Sequence, residues 1–261
     1  MARAKATLEH MVSRVAVVGA TGRMGSLAQR LIERSDDLEL HAAIGSADPI
    51  DAIAGADIVF DLTVPAVSPD IVSAALDHGI PTLVGTSGWT AERIATLQRR
   101  VGADGVPAVV IIPNFSMGSA LATAFAVFAA PWFDAIEIVE SHHPGKVDSP
   151  SGTAIRTAEL IGQARADVGP VAAPHADQRA RGQQVASVPI HSLRHAGLSA
   201  RQEVVFGGDG ETLRVLHDTH TDASYEAGIL LALRAVRDAR GVVVGLGNLI
   251  DLGLPGSRLT P

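Results

Sequence analysis

The sequence contains no cysteine. That excludes disulfides, thiolate nucleophiles, cysteine-ligated iron–sulfur clusters and cysteine-bound zinc. It also fits a reducing compartment, the cytoplasm. Aromatic residues make up only 3% of the chain, so the core must be built from Ala, Val, Leu and Ile, as in parallel sheets buried on both faces. Positive charge is scarce as well: 21 Lys and Arg stand against 28 Asp and Glu, a net charge of −7. The nearest basic groupings, Gln98-Arg99-Arg100 and Arg179-Ala180-Arg181, read as solvated surface, which argues against a nucleic-acid partner. An anionic ligand would have to be met by positive groups gathered locally, because the overall field opposes it. No apolar run reaches the roughly 18–20 residues of a spanning helix, so no membrane partner is expected. Met1 to Val12 lack the apolar centre of a signal peptide and are expected to form a flexible extension, residues 1–12.

What is present is a regular alternation. Arg14-Val15-Ala16-Val17-Val18 is a short, valine-rich apolar run that ends in Gly19-Ala20-Thr21-Gly22-Arg23-Met24-Gly25. Met24, Leu27, Ala28, Leu31 and Ile32 then recur at helical spacing. Further strands are predicted at 38–44, 56–62, 81–84 and 109–112, with helices over 68–77 and 91–100 between them. Strands alternating with helices imply right-handed crossovers and a parallel sheet. After about Ser116 the pattern changes. An apolar helix over 121–130 is followed by alternating segments at 135–140, 187–193, 200–206 and 212–217, which read as a mixed or antiparallel sheet. An apolar helix over 227–236 returns the chain to the first domain. The stretch 162–184 reads as a helix end and a long loop.

The glycine turn carries the first chemistry. Gly19 permits a sharp turn out of the strand, Gly22 lets backbone approach a pyrophosphate, and Gly25 lets the helix pack on the sheet. The helix start then offers N–H groups and a positive dipole end to phosphates. This strand–turn–helix placement predicts dinucleotide binding, although a glycine pattern alone would also suit a purely structural turn. The acidic residue expected at the end of the second strand is missing: Gly45 stands there, and Asp48 comes later. Without that carboxylate a 2′-phosphate meets less repulsion, and Arg23 offers it a positive partner. NADPH is therefore expected to serve at least as well as NADH.

A second constellation runs from Glu140 to Ala154: Glu-Ser-His-His-Pro-Gly-Lys-Val-Asp-Ser-Pro-Ser-Gly-Thr-Ala. Histidine titrates near neutrality and passes protons, and Lys146 supplies a positive charge or a proton. Ser151-Gly152-Thr153 opens a helix whose hydroxyls and N–H groups suit a carboxylate. A polar loop with an ordinary serine cap is the plainer reading of the same residues. A His-pair metal site would need further ligands, and no His, Asp or Glu nearby has the spacing.

Residues 140–154 resemble the signature of dihydrodipicolinate reductases. The resemblance continues through Gly19–Gly25, Val84-Gly85-Thr86-Ser87-Gly88, Ile112-Pro113-Asn114-Phe115-Ser116-Met117-Gly118, Glu203–Gly207 and Gly210–Leu213. In order, these matches cover about Val15 to Leu252, nearly the whole chain. The resemblance implies a Rossmann-like parallel-sheet domain, residues 13–116 plus 223–261. Into it is inserted a mixed α+β domain, 117–222, for substrate binding and oligomerisation. It implies NAD(P)H-dependent reduction of a cyclic unsaturated dicarboxylate in diaminopimelate and lysine biosynthesis, with the site between the domains. His142 and Lys146 match the proton-transferring residues. His143, Ser151, Gly152 and Thr153 fall at the substrate, and a homotetramer built through the second sheet is implied. Cofactor contacts fall on Gly19, Ala20, Thr21, Gly22, Arg23, Met24, Gly45, Gly85, Thr86, Ser87, Ile112, Pro113, Asn114 and Phe115. Two departures stand out: the family often has an acid where Gly45 stands, and an arginine near Asp222. A different NAD(P)-dependent reductase of small carbonyl or imino acids, and a catalytically silent dinucleotide sensor, are the competing readings.

Overall fold

A computed structural model describes residues 12–102 and 107–250. The expected flexible extension falls, but for Val12, outside the described residues. The chain divides into two compact units, Met1–Pro113 with Ile229–Val244, and Asn114–Gly228 with Gly245–Pro261.

In the first unit the strands are β1 (Ser13–Val18), β2 (Leu38–Ile44), β3 (Ile58–Asp61), β4 (Thr82–Val84) and β5 (Val109–Ile111). They alternate with α1 (Arg23–Glu33), α2 (Ser68–Asp77) and α3 (Ala91–Val101). A short strand late in the chain, Val242–Val244, lies beside β5 and completes a six-stranded sheet in which every neighbouring pair is parallel. The order places β1 next to the edge strand β2, with β3, β4 and β5 following on its other side. The order in which successive strands are added therefore reverses between β1 and β3, the kind of switch point at which open α/β sheets bind ligands. Val15, Ala16, Val17, Val59, Leu83 and Val110 are fully buried, which is why these strands read as continuous apolar runs rather than alternating ones. Burying each such Val or Leu contributes roughly 1.5–3 kcal/mol.

In the second unit β6 (Ala135–His142) lies at the centre of a five-stranded mixed sheet. It pairs parallel with β8 (Val188–Arg194) and antiparallel with β9 (Ala200–Gly208), which pairs in turn with β10 (Glu211–Thr219). The edge strand β7 (Gln183–Val185) pairs antiparallel with β8 where the sequence pattern through 184 suggests only a long loop. One face of the sheet is covered by α4 (Met117–Ala129) and α5 (Gly152–Ala164), whose Ala126, Ala154, Ala158 and Ile161 pack on Ile136, Ile138, Ile190, Val204 and Phe206. Small alanines on the helices let them sit close to branched residues on the strands. The period-2 alternation sends Val139, Leu193, Val205 and Leu216 to the opposite face. The last helix, α6 (Glu226–Ala235), starts in the second unit and ends in the first.

Among the described residues no helix is long and apolar enough to cross a membrane, and no group of three or more His, Asp or Glu residues is placed to hold a metal ion.

Candidate active site

The glycine turn leaves β1 at its C-terminal end. Gly19 has φ +85°, and a Cβ there would lie 2.5 Å from the Leu62 carbonyl oxygen, so the chain passes against the end of β3 only because this residue has no side chain. A Cβ on Gly25 would lie 2.2 Å from the Gly19 carbonyl oxygen, so the start of α1 folds directly onto the turn. The Gly19 and Ala20 N–H groups both donate to the Ile44 carbonyl, which ties the turn to the end of β2. Gly22 is the N-cap of α1, has no capping side chain, and no acidic residue lies in the first turn. That leaves the helix start without a built-in anion, as a phosphate cradle requires. Thr21, Gly22 and Arg23 are exposed there, with Met24 partly buried.

A pocket of about 510 Å³ opens beside this turn, lined by Gly19, Thr21, Gly22, Gly45, Asp48 and Thr63 among others. The end of β2 is not without a carboxylate after all. Asp48 folds back, and its Oδ2 accepts the Gly45 N–H at 2.8 Å. The remaining cofactor candidates sit at neighbouring strand ends. Gly85 donates its N–H to the Asp61 carbonyl, and Ile112 donates to Val84. Ser87 and Pro113 are exposed, and Phe115 is buried. Asn114 accepts the Ser116 N–H and donates to Ser119 Oγ, which shapes the start of α4. Thr86 is buried, and its Oγ1 has no hydrogen-bond partner among the described residues. A buried hydroxyl in that state is costly unless a ligand meets it. The uncapped helix start, the close-approach glycines and this orphaned hydroxyl all fit a dinucleotide.

Sequence reading missed the support beneath this region. Asp61, fully buried at the end of β3, accepts hydrogen bonds from the Thr63 N–H and hydroxyl and from Ser68 Oγ, and Trp89 Nε1 donates to Ser68. The Asp-Leu-Thr spacing was visible in the sequence, but Ser68 and Trp89 are joined to it only by the fold.

The second constellation is assembled wholly within the second unit. His142 is the last residue of β6, and its Nδ1 lies 2.6 Å from Glu140 Oε2. The chain then turns: the Lys146 N–H donates to the His143 carbonyl, and Lys146 Nζ pairs with Asp148 Oδ1 at 2.7 Å. His143 is exposed. Ser151 caps α5 by accepting the Ala154 N–H, so its hydroxyl is engaged, while Gly152 and Thr153 form the first turn. A Cβ on Gly152 would meet nothing within 4 Å, which leaves open space at the helix start. Burial pushes the Asp148 carboxyl up, but Lys146 and the Gly152 N–H outweigh it and hold it below the usual carboxylate range. Asp222, the other departure, opens a short 3₁₀ turn, Asp222–Tyr225.

Two residues without an assigned role complete this cluster. Glu140 is fully buried, and Arg194, from β8, grips it with both Nη atoms at 2.9 and 3.0 Å. Burial alone would raise the Glu140 carboxyl, but hydrogen bonds from His142, Arg194 and Ser192 hold it at about 2. Glu140 belongs to the contiguous run 140–154, but its role shows only in the fold. Arg194 carried no sequence signal, because only the β6–β8 register places it opposite His142.

A parallel-sheet unit with a phosphate-ready glycine turn, together with a second unit carrying a His/Lys loop at a helix start, defines a pyridine-nucleotide-dependent oxidoreductase. The chain belongs to the dihydrodipicolinate reductase family. The family model for the N-terminus of dihydrodipicolinate reductase matches residues 13–115, and that for the C-terminus matches 117–250. A 4-hydroxy-tetrahydrodipicolinate reductase of Clavibacter sepedonicus is 60% identical over 248 residues, covering 95% of this chain and 89% of that protein. One from Streptomyces coelicolor is 48% identical over 245 residues, covering 92% and 98%. Among solved structures, a dipicolinate-bound dihydrodipicolinate reductase from Paenisporosarcina sp. TG-14 superposes with a TM-score of 0.78 at 28% identity, covering 92% of this chain and all (100%) of that one.

Proposed function

We propose that this protein reduces 4-hydroxy-tetrahydrodipicolinate, by way of dihydrodipicolinate, to tetrahydrodipicolinate in diaminopimelate and lysine biosynthesis. Beyond family membership, one observation carries the reading. Lys146 Nζ and the Gly152 N–H already hold a carboxylate, that of Asp148. They are the groups that would receive a carboxylate of the substrate, together with His143, Ser151 and Thr153. The dipicolinate bound to the Paenisporosarcina relative is a planar dicarboxylate of the same class.

Division of labour follows. The dinucleotide belongs to residues 13–116 plus 223–261, on the glycine turn, Gly45, Gly85–Ser87 and Ile112–Phe115. Substrate binding and oligomerisation belong to 117–222. When bound, a reduced nicotinamide supplies the hydride. The chain's own residues orient the ring through its carboxylates and keep a proton at His142 and Lys146 to quench the charge that develops toward the ring nitrogen. Both NADPH and NADH are accepted, the protein works in the cytoplasm where these pools lie, and it assembles as a homotetramer through the open face of the second sheet.

The test is steady-state turnover of His142→Ala and Lys146→Ala beside a fluorescence titration with NADPH. Each substitution should lower kcat by about 10²–10⁴-fold, the usual contribution of one positioned proton-transfer group. The NADPH Kd should stay within about threefold, since both residues lie outside the dinucleotide unit. Near-normal turnover in both variants would sink the assignment.

A further inference from the structure

Glu140 is a fully buried carboxylate in a protein whose other acids are mostly at the surface, and all its acceptor directions are in use. Oε1 takes the Ser151 N–H at 3.2 Å and Arg194 Nη2 at 3.0 Å. Oε2 takes Arg194 Nη1 at 2.9 Å and faces His142 Nδ1 at 2.6 Å. The guanidinium also reaches the Asp148 carbonyl at 2.7 Å, so the clamp ties the end of β6 to the loop that carries Lys146. From β9, the residues registered opposite Glu140 and His142 are Gln202 and Ala200, which bring no charge; Gln202 gives its Nε2 to Thr157. Arg194 is thus the charged group that faces Glu140 from the neighbouring strands.

An isolated buried carboxylate would take up a proton to escape the desolvation penalty. This one keeps its charge because a bidentate guanidinium neutralises it. An ionised carboxylate is acceptor-only, so the proton of the short contact must sit on His142 Nδ1. The other ring nitrogen, Nε2, is then the one whose protonation can change during turnover.

We propose that Glu140, clamped by Arg194, is a positioning residue that fixes His142 as its Nδ1–H tautomer and commits Nε2 to proton exchange with the substrate. The inference rests on the reading of His142 as a proton-transfer group. It gives a function to two residues 54 positions apart that no part of the glycine turn or the substrate loop accounts for. Both Nη atoms of Arg194 are committed to Glu140, and Nη2 also to the Asp148 carbonyl, while its Nε is buried without a partner among the described residues, so the bidentate face of the guanidinium belongs to Glu140. Its contribution is to keep Glu140 anionic without leaving an unbalanced buried charge, which would otherwise be strongly destabilising.

A double-mutant cycle of Glu140→Gln and His142→Ala tests this, with kcat and KM measured for each protein and a thermal melt as the check on folding. In the parent background, Glu140→Gln should lower kcat on the order of 10²-fold, in line with losing the acid that orients a catalytic histidine, with KM within about threefold. In the His142→Ala background the same change should cost less than about threefold, because residues acting as a unit are not additive. An equal loss in both backgrounds would mean a merely structural carboxylate and would overturn the inference. Loss of turnover in His142→Ala with normal turnover in Glu140→Gln would overturn it too, while leaving the His142 assignment standing. Near-normal turnover in His142→Ala would instead remove the assignment beneath it. Nitrogen-15 spectra of the ring in the resting protein give a reading independent of turnover: the Nδ1–H form is expected, and the Nε2–H form overturns the inference. Should Glu140→Gln fail to melt as a folded protein, Arg194→Lys keeps both charges and breaks only the fork. It should show the same non-additivity with a smaller loss, and an additive loss overturns the inference equally.

Discussion

Gly45 and Asp48 show how much a single residue's reach can change a reading. The sequence places no acid at the end of β2, and from that absence NADPH should be favoured. The fold returns a carboxylate to the same place, 2.8 Å from the Gly45 N–H and on the wall of the pocket beside the glycine turn. A 2′-phosphate therefore meets one negative charge there, while ribose hydroxyls meet an acceptor. Asp48→Asn keeps an oxygen for the Gly45 N–H and removes only the charge. The ratio of kcat/KM for NADPH over NADH should rise about threefold to tenfold at low ionic strength and shrink as salt is added, since the Debye length falls to about 10 Å at 0.1 M. A ratio unmoved by the substitution would show that the Asp48 carboxylate does not face the nucleotide.

At the scale of elements, stability of the second unit converges on one side chain. Arg165 follows α5, is 3% exposed, and donates to the carbonyls of Ala130, Phe133 and Gly169. These carbonyls lie beyond the end of α4 and beyond the end of α5, so Arg165 satisfies chain ends that neither helix can satisfy itself. Arg165→Met fills a similar volume without a donor and should cost about 3 kcal/mol or more, given roughly 1–3 kcal/mol for each buried acceptor left unmet. A thermal melt should read this as a Tm lower by roughly 6–12 °C; a melt within a degree or two of the parent would contradict it. None of this could be read beforehand, because it depends on where α4 stops. The regular elements themselves were legible. The helix predicted over 68–77 is α2, and β2 runs over the predicted 38–44. What escaped was short or polar. Gln183–Val185 is polar and Val242–Val244 follows the last helix alone, whereas the equally short β4 and β5 were legible because helices alternate with them. The helix α4 begins at Met117 rather than Leu121, because Ser116 caps it ahead of its apolar run. In the site the same rule holds. His142, Lys146 and the Ser151 cap are contiguous and could be read from the sequence, whereas Arg194 and the Asp61–Ser68–Trp89 chain depend on strand register and crossover.

At the scale of the whole molecule, the second sheet has two unlike faces. Its helix-covered face is packed along β6, β8 and β9, but the other carries Leu193 at 50% and Leu216 at 47% exposure, with Val139 and Val205 only partly buried. Between them lie polar contacts that are already complete: Glu137 with Arg181 and His191, and Glu203 with Arg214. Burial pushes the Glu137 carboxyl up, yet its two partners hold it below the usual range. The polar groups on this face are thus balanced within the chain, and a second copy would add mainly apolar contact, the composition of an obligate interface. Apolar leucines at such exposure on a flat sheet face are otherwise an association hazard. Leu193→Asp with Leu216→Asp would place like charges opposite one another across a self-complementary interface. Sedimentation equilibrium should show the parent as a tetramer and the double variant as smaller species, with NADPH titration unchanged because the dinucleotide unit is untouched. A tetramer that survives both aspartates would mean that association uses another surface, and a parent that sediments as a monomer would remove the homotetramer altogether.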